Sequence, residues 1–240
     1  MIKIIENESQ ILNFCVSDLY AIRIKSLLLA YGTKYDFATF YAQFDEDNKQ
    51  TAIISKLDND FTVCVCDGFD ANELWEFFHT IGYSSVLCDE CCDFDSKYEK
   101  GDVMVTTQKN EYIIPYTEID EYPKLMDLFS LDDYDTTDFE AWYVDLNHRI
   151  RHNCARAYSL NVNDEIISSA IFSSIYNDDA ILTAVKTQPE FRRMGYASAL
   201  VSYMIGDIKG STYLMREMGK NEEFYKNLGF INIGKWRLYK

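Results

Sequence analysis

The sequence predicts an α+β (mixed α/β) protein made of two halves, each a mostly antiparallel twisted sheet flanked by helices. Three observations lead there. The same order of elements runs twice along the chain: helical periodicity, three strand-like runs, a helix and a further strand. The runs are joined by short segments such as Asp58-Asn59-Asp60 and Asn177-Asp178-Asp179, residue types that tolerate tight turns. Apolar residues make up 48% of the 240, with only 3 prolines and 10 glycines, enough to bury a core in either half.

In the first half, helical periodicity over Ser9–Ala30 precedes strand-like runs at Phe37–Phe44, Thr51–Lys56 and Phe61–Cys66. A helix over Ala71–Ile81, closed by Gly82, leads to the apolar strand Ser84–Cys88. Charge, glycine and polar residues collect at Lys97–Asn110, which reads as a linker between domains at 1–105 and 111–240. The second half opens with a strand at Tyr112–Thr117 and helices at Tyr122–Leu131 and Thr137–Arg151. Strands at Ala155–Leu160, Ile166–Tyr176 and Ala180–Thr187 follow, then a helix over Gly195–Ile208, a strand at Ser211–Arg216, a helix at Asn221–Leu228 and a strand at Ile231–Tyr239.

Charge and cysteine usage narrow the function classes. The net charge is −16, divided as −10 over residues 1–110 and −6 over 111–240, which argues against a nucleic-acid partner. No window approaches the roughly 18–20 apolar residues of a membrane span, and the acidic start Met1–Glu8 is unlike a signal peptide; a cytoplasmic location without a membrane partner is expected. Seven cysteines, an odd number, argue against a disulfide framework. Cys64-Val65-Cys66 and Cys88-Asp89-Glu90-Cys91-Cys92 have spacings that could ligate zinc, but Cys64 and Cys66 alternate within a strand pattern as small buried hydrophobes. No metal is expected.

The segment that carries chemistry is Val185-Lys186-Thr187-Gln188-Pro189-Glu190-Phe191-Arg192-Arg193-Met194-Gly195-Tyr196-Ala197-Ser198. A strand ends, Pro189 removes a ladder donor, and a basic turn leads into a helix that starts with small residues. Free N–H groups at a helix start make an anion site, which the helix dipole favours. Gly195 and Ala197 leave room for a phosphate to approach the backbone, and Arg192 and Arg193 can pair with its oxygens. The alternative is a basic helix cap without a ligand.

This segment resembles the Arg/Gln-x-x-Gly-x-Gly/Ala motif of the GNAT (GCN5-related) N-acetyltransferases, with Arg192, Gly195 and Ala197 on its fixed positions. The resemblance implies that acetyl-CoA is the co-substrate and places its pyrophosphate on Arg192, Arg193, Met194, Gly195, Tyr196, Ala197 and Ser198, with pantetheine beside Val185, Lys186 and Thr187. The later stretch Asn221-Glu222-Glu223-Phe224-Tyr225-Lys226-Asn227-Leu228-Gly229-Phe230 is similar to the family's late helix, whose tyrosine often reprotonates the departing thiolate. Tyr225 stands in that place, and a phenol is a reasonable donor to a thiolate. Many members carry an asparagine seven residues earlier, where this chain has Met218; Asn221, four residues before the tyrosine, is assigned to the cofactor or to a helix cap.

The resemblance implies direct attack of an amine on the thioester in a ternary complex, the acceptor being a small molecule or a peptide. Glu217, just past a strand, is the acid nearest to the expected cleft and the candidate base. His148 and His152 share a helical face as a surface pair. The first half resembles the same family only in element order: its junction Asp67-Gly68-Phe69-Asp70-Ala71-Asn72-Glu73 has no such motif, and its D-x-x-E pattern predicts a helix start capped by its own carboxylates. Two GNAT-like domains are therefore expected, a degenerate one and a catalytic one. A CoA-binding module without turnover and a zinc-binding adaptor are the alternatives; the oligomeric state stays open.

Overall fold

The helical stretch expected over Ser9–Ala30 is two helices, α1 (Ser9–Leu12) and α2 (Leu19–Tyr31). The break falls where Asp18, in extended conformation, takes the N-cap of α2 and accepts a 2.8 Å bond from Ala21 N. The computed structural model describes residues 1–109, 112–115, 117–129, 131 and 139–240. Asn110 of the expected linker, Glu111 at the start of the expected second domain, Tyr116 of the expected first strand there, and Ser130, Thr137 and Asp138 of the two expected helices lie outside the described residues.

The chain divides into two units. The first comprises Met1–Val103, Met215–Met218 and Asn232–Lys240; the second comprises Met104–Leu214 and Gly219–Ile231. The last nine residues therefore pack with the first unit, whereas a division at 105/111 in sequence groups them with the second half.

In the first unit, strands β1 (Ile2–Ile4), β2 (Ala38–Phe44), β3 (Gln50–Leu57) and β4 (Asp60–Val65) pair in antiparallel order. The helix α3 (Ala71–Ile81) then carries the chain over to β5 (Ser85–Asp89), which lies parallel to β4 from Asp60↔Ser85 to Thr62↔Leu87. The supposed linker is instead a strand, β6 (Tyr98–Thr106). Its glycine hid it: a Cβ on Gly101 would run into Arg216 O and come within 2.6 Å of Trp236 Nε1, so only glycine fits the strand there. Beside it Asp102 and Arg216 form a buried ion pair.

The C-terminal strand β12 (Ile231–Tyr239) pairs antiparallel with β5 from Trp236↔Asp89 to Tyr239↔Val86. Tyr239, fully buried, donates to Cys92 O at 2.8 Å and accepts from Phe94 N at 3.3 Å. Its ring joins Phe61, Leu74, Phe78, Val86, Cys88 and Phe94 in one core, which Trp75 closes by stacking on Phe94 at 5.0 Å. Cys88 and Cys92 thus serve as core hydrophobes.

The second unit has β7 (Glu118–Asp120), β8 (Arg156–Val162), β9 (Glu165–Tyr176) and β10 (Asp179–Thr187) in antiparallel order. The described residues of Tyr112–Thr117 are not strand, and β7 forms just after them. Positive φ at Asn163, Asp164 and Asn177 makes the tight turns that the sequence signalled. The helix α6 (Tyr196–Asp207) crosses over to β11 (Thr212–Glu217), which is parallel to β10. One sheet face packs Phe172, Leu182 and Leu214 against Leu200 and Met204 of α6; on the other, Ala157 and Ile171 meet Leu125, Leu128 and Leu146 from α4 (Leu125–Phe129) and α5 (Phe139–Arg151). A short helix, α7 (Glu222–Asn227), precedes β12. Among the described residues no helix is long and apolar enough to cross a membrane.

Candidate active site

The end of β10 is shaped by a bulge. Thr183 pairs with Ile171 and Lys186 with Ser169, so Ala184 and Val185 stand opposite the single residue Ala170. Ala184 takes φ 51°, a left-handed conformation uncommon for a residue with a Cβ. The parallel register with β11 runs only from Ala180↔Thr212 to Leu182↔Leu214, while β10 continues to Thr187 on the β9 side alone. Backbone groups of Thr183–Thr187 on the β11 side are thereby released from that ladder.

Beyond the strand, Pro189–Phe191 make one tight helical turn, and the basic turn follows. Arg192 is extended (φ −66°, ψ 150°), Arg193 is left-handed at φ 65°, and Gly195, the N-cap of α6, is left-handed at φ 90°. Left-handed residues interleaved with others make a concave array of N–H groups suited to an anion. Gly195 has no side chain to cap α6 and the helix's first turn carries no acid, so among the described residues the N–H groups there have no intrahelical partner and no first-turn acid opposes the dipole. The Arg192 side chain folds back: its Nε donates to Thr187 O at 3.0 Å, tying the turn to the strand end.

The released strand end, the turn and α7 enclose a cleft of about 500 Å³. Among the residues expected at the cofactor, Val185, Thr187, Arg192, Arg193, Gly195, Tyr196, Ala197, Ser198 and Asn221 line it, as does Tyr225. Lys186 and Met194 do not. Strand alternation sends the Lys186 side chain to the opposite face from Val185 and Thr187, where burial pushes its ammonium below the ordinary value; Met194 is 59% exposed. Phe191 and Phe224 also line the cleft. Both lie inside the stretches that carry the resemblance, and their apolar character beside a basic turn is the signal that finds them.

Asn221 is the N-cap of α7 by position, left-handed at φ 56°, yet its side chain makes no cap bond and is left to face the cleft. Tyr225 is half-buried, edge-on to Phe224 at 4.9 Å and to Phe230 at 5.7 Å. Burial pushes its phenol above the ordinary value of 10.0, so it keeps its proton at neutral pH. Glu217, at the end of β11, is exposed, belongs to the first unit and does not line the cleft.

Residues 163–239, about a third of the chain, match the family model of FR47-like proteins, and no curated protein matches in sequence. A solved structure of a Drosophila protein superposes with a TM-score of 0.68 at 13% identity, covering 99% of this chain and 97% of its own. A GNAT-family acetyltransferase from Colwellia psychrerythraea gives 0.59 at 9% identity, covering 99% and 98%. A tandem GNAT protein from the clavulanic acid biosynthesis pathway also gives 0.59 at 9%, covering 99% and 97%. The chain has the GNAT fold.

In this GNAT fold the first unit repeats the strand–helix–strand junction but fills it differently. Asp70 caps α3 by accepting from Glu73 N at 3.0 Å, as the D-x-x-E pattern predicts. The Gln43 amide closes the rest: its Oε1 accepts from Asp70 N at 2.9 Å, and its Nε2 donates to Asp70 O at 2.9 Å and to Glu73 Oε2 at 2.8 Å. Nearby Cys64 is buried and donates to Asp18 Oδ1 at 3.4 Å. Among the described residues no group of three or more His, Cys, Asp or Glu side chains is placed to hold a metal ion. His148 and His152 stand as a surface pair, ring centroids 4.2 Å apart.

Proposed function

We propose that the chain is an acetyl-CoA-dependent N-acetyltransferase whose second unit carries the reaction. The observation that supports this most is the cleft itself: a bulged, half-released strand, an uncapped basic helix start and a half-buried tyrosine converge on one space. In this reading the pyrophosphate sits on the Arg192–Ala197 turn and the pantetheine arm runs along Val185–Thr187 in sheet-like contact. The thioester carbonyl then lies by the released backbone N–H groups, which stabilise the oxyanion as the amine nitrogen attacks. The C–N bond forms as the nitrogen gives up a proton to solvent water, the C–S bond breaks, and the departing thiolate takes the Tyr225 proton, which the phenol then regains from solvent, so no net proton is gained or lost.

The acceptor is an amine of a small molecule or a peptide, and the degenerate first unit takes no cofactor, its helix start being occupied by Asp70, Glu73 and Gln43. The test is release of free thiol from acetyl-CoA against a panel of amines and peptides, wild type beside Tyr225→Phe. Turnover by the wild type that falls in the variant at unchanged CoA affinity supports the reading. Tight CoA binding without turnover on any amine leaves a binding module in its place.

A further inference from the structure

Two residues of the segment that precedes β7 grip opposite ends of α6. At the C-terminal end, Lys109 Nζ donates to Ile205 O at 2.8 Å and to Ile208 O, satisfying carbonyls that the helix leaves open. At the N-terminal end, the Tyr112 ring edge lies on the Cα of Gly195: a Cβ built there would stand 2.7 Å from the Tyr112 hydroxyl and 3.2 Å from Cε1. Gly195 is thus doubly constrained, by φ 90° and by the phenol that uses the space a side chain would fill. The hydroxyl makes no hydrogen bond with any described residue, and Tyr112 is 50% exposed; the side chain lies along the α6 flank, outside the residues that line the cleft, and its hydroxyl reaches the cleft's edge at Gly195. An O–H donor next to Gly195, the uncapped start of α6, is suited to an anionic oxygen seated there.

We propose that Tyr112 is a further cofactor-binding residue, its hydroxyl donating to a phosphate oxygen seated on the Arg192–Ala197 turn. The inference rests on the cofactor reading above and adds to it a contact from outside the motif. Its test is the affinity of wild type and Tyr112→Phe, by titration calorimetry, for CoA, for dephospho-CoA (which keeps the diphosphate) and for pantetheine (which lacks it). Phenylalanine keeps the ring on Gly195 and removes only the hydroxyl. The expected result is about a tenfold or greater loss for CoA and dephospho-CoA alike, as for a hydrogen bond to a charged group, with pantetheine within twofold. Unchanged or tighter CoA binding in the variant overturns the proposal, and so does an equal loss for all three probes, which makes the role one of packing. Failure of the wild type itself to bind CoA overturns the cofactor reading instead and is recognised before any variant is compared.

Discussion

Gly195→Ala is the sharpest single perturbation of the cleft, because its two consequences are separable. At φ 90° an L-residue is strained by about 1–2 kcal/mol, and the loss of glycine's freedom in the unfolded chain returns about 0.4–1 kcal/mol. The new methyl also meets the Tyr112 hydroxyl, but that ring is half exposed and can swing aside. The net cost to folding is therefore about 1 kcal/mol, a fall of roughly 2–4 °C in melting midpoint for a chain of this size. The cost to binding is larger. Relaxing the turn toward negative φ rotates the N–H groups at the start of α6 off their common focus, and each charge-assisted bond lost is about 1.5–3 kcal/mol. CoA affinity should fall at least about tenfold. Thermal melting and calorimetric titration with CoA read the two effects on the same samples, and Tyr112→Ala as a second background removes the steric part while leaving the backbone strain. A variant that melts a few degrees lower yet binds CoA within twofold of wild type would show that the turn is not the seat of the pyrophosphate.

Three further outcomes follow from the same geometry. Tyr225→Phe should lower kcat by about a hundredfold while leaving the Kd for CoA unchanged; because burial raises the phenol above 10.0, the alkaline fall in wild-type kcat should lie beyond the ordinary tyrosine range and vanish in the variant. A limb unmoved by the substitution removes Tyr225 from proton transfer. Arg193→Gln should weaken CoA binding and flatten its salt dependence, and Arg192→Gln should weaken it further because the tie to Thr187 O goes too; equal affinities at low and high salt in wild type and variants would refute the pairing. Tyr239→Phe strips Cys92 O and Phe94 N of a buried partner, at about 1–3 kcal/mol, and urea unfolding followed by the fluorescence of Trp75 should report it; an unchanged transition would mean that the hydroxyl adds nothing to the closure of β12 on β5.

What the sequence made legible was local. Hairpin turns rich in Asn and Asp announced β8, β9 and β10 to within a residue or two, and the D-x-x-E pattern announced the cap of α3 together with its Asp70–Glu73 bond. The turn Arg192–Ala197 was readable because charge, glycine and helix start are consecutive in the chain. Features made by distant partners were not readable. Gly101 looked like a linker glycine, and only the approach of Arg216 and Trp236 shows why a strand needs it. Lys186 shared the segment of Val185 and Thr187, and its exclusion from the cleft follows once β10 is known to alternate through that position. Tyr112 carried no signal at all, since its partner is 83 residues away in sequence and is recognisable only from the missing Cβ of Gly195.

The two strand-to-helix junctions separate what a fold requires from what a site requires. Both β4–α3–β5 and β10–α6–β11 need a helix to begin just after a strand, and both then present N–H groups that something must satisfy. In the first unit the solution is internal: Asp70 and Glu73 supply negative charge to the helix start, and Gln43 supplies an acceptor and two donor contacts from β2. In the second unit every choice runs the other way, with glycine for a capping side chain, no acid in the first turn and two arginines ahead of it. An isolated helix start with that composition forgoes about 1 kcal/mol of capping and adds like charge to the positive end of its dipole. That cost is small beside the stability of a domain, but it is one that an external anion would offset, so the uncapped start of α6, more than the likeness of fold, is the physical argument that supports the proposed phosphate-bearing cofactor.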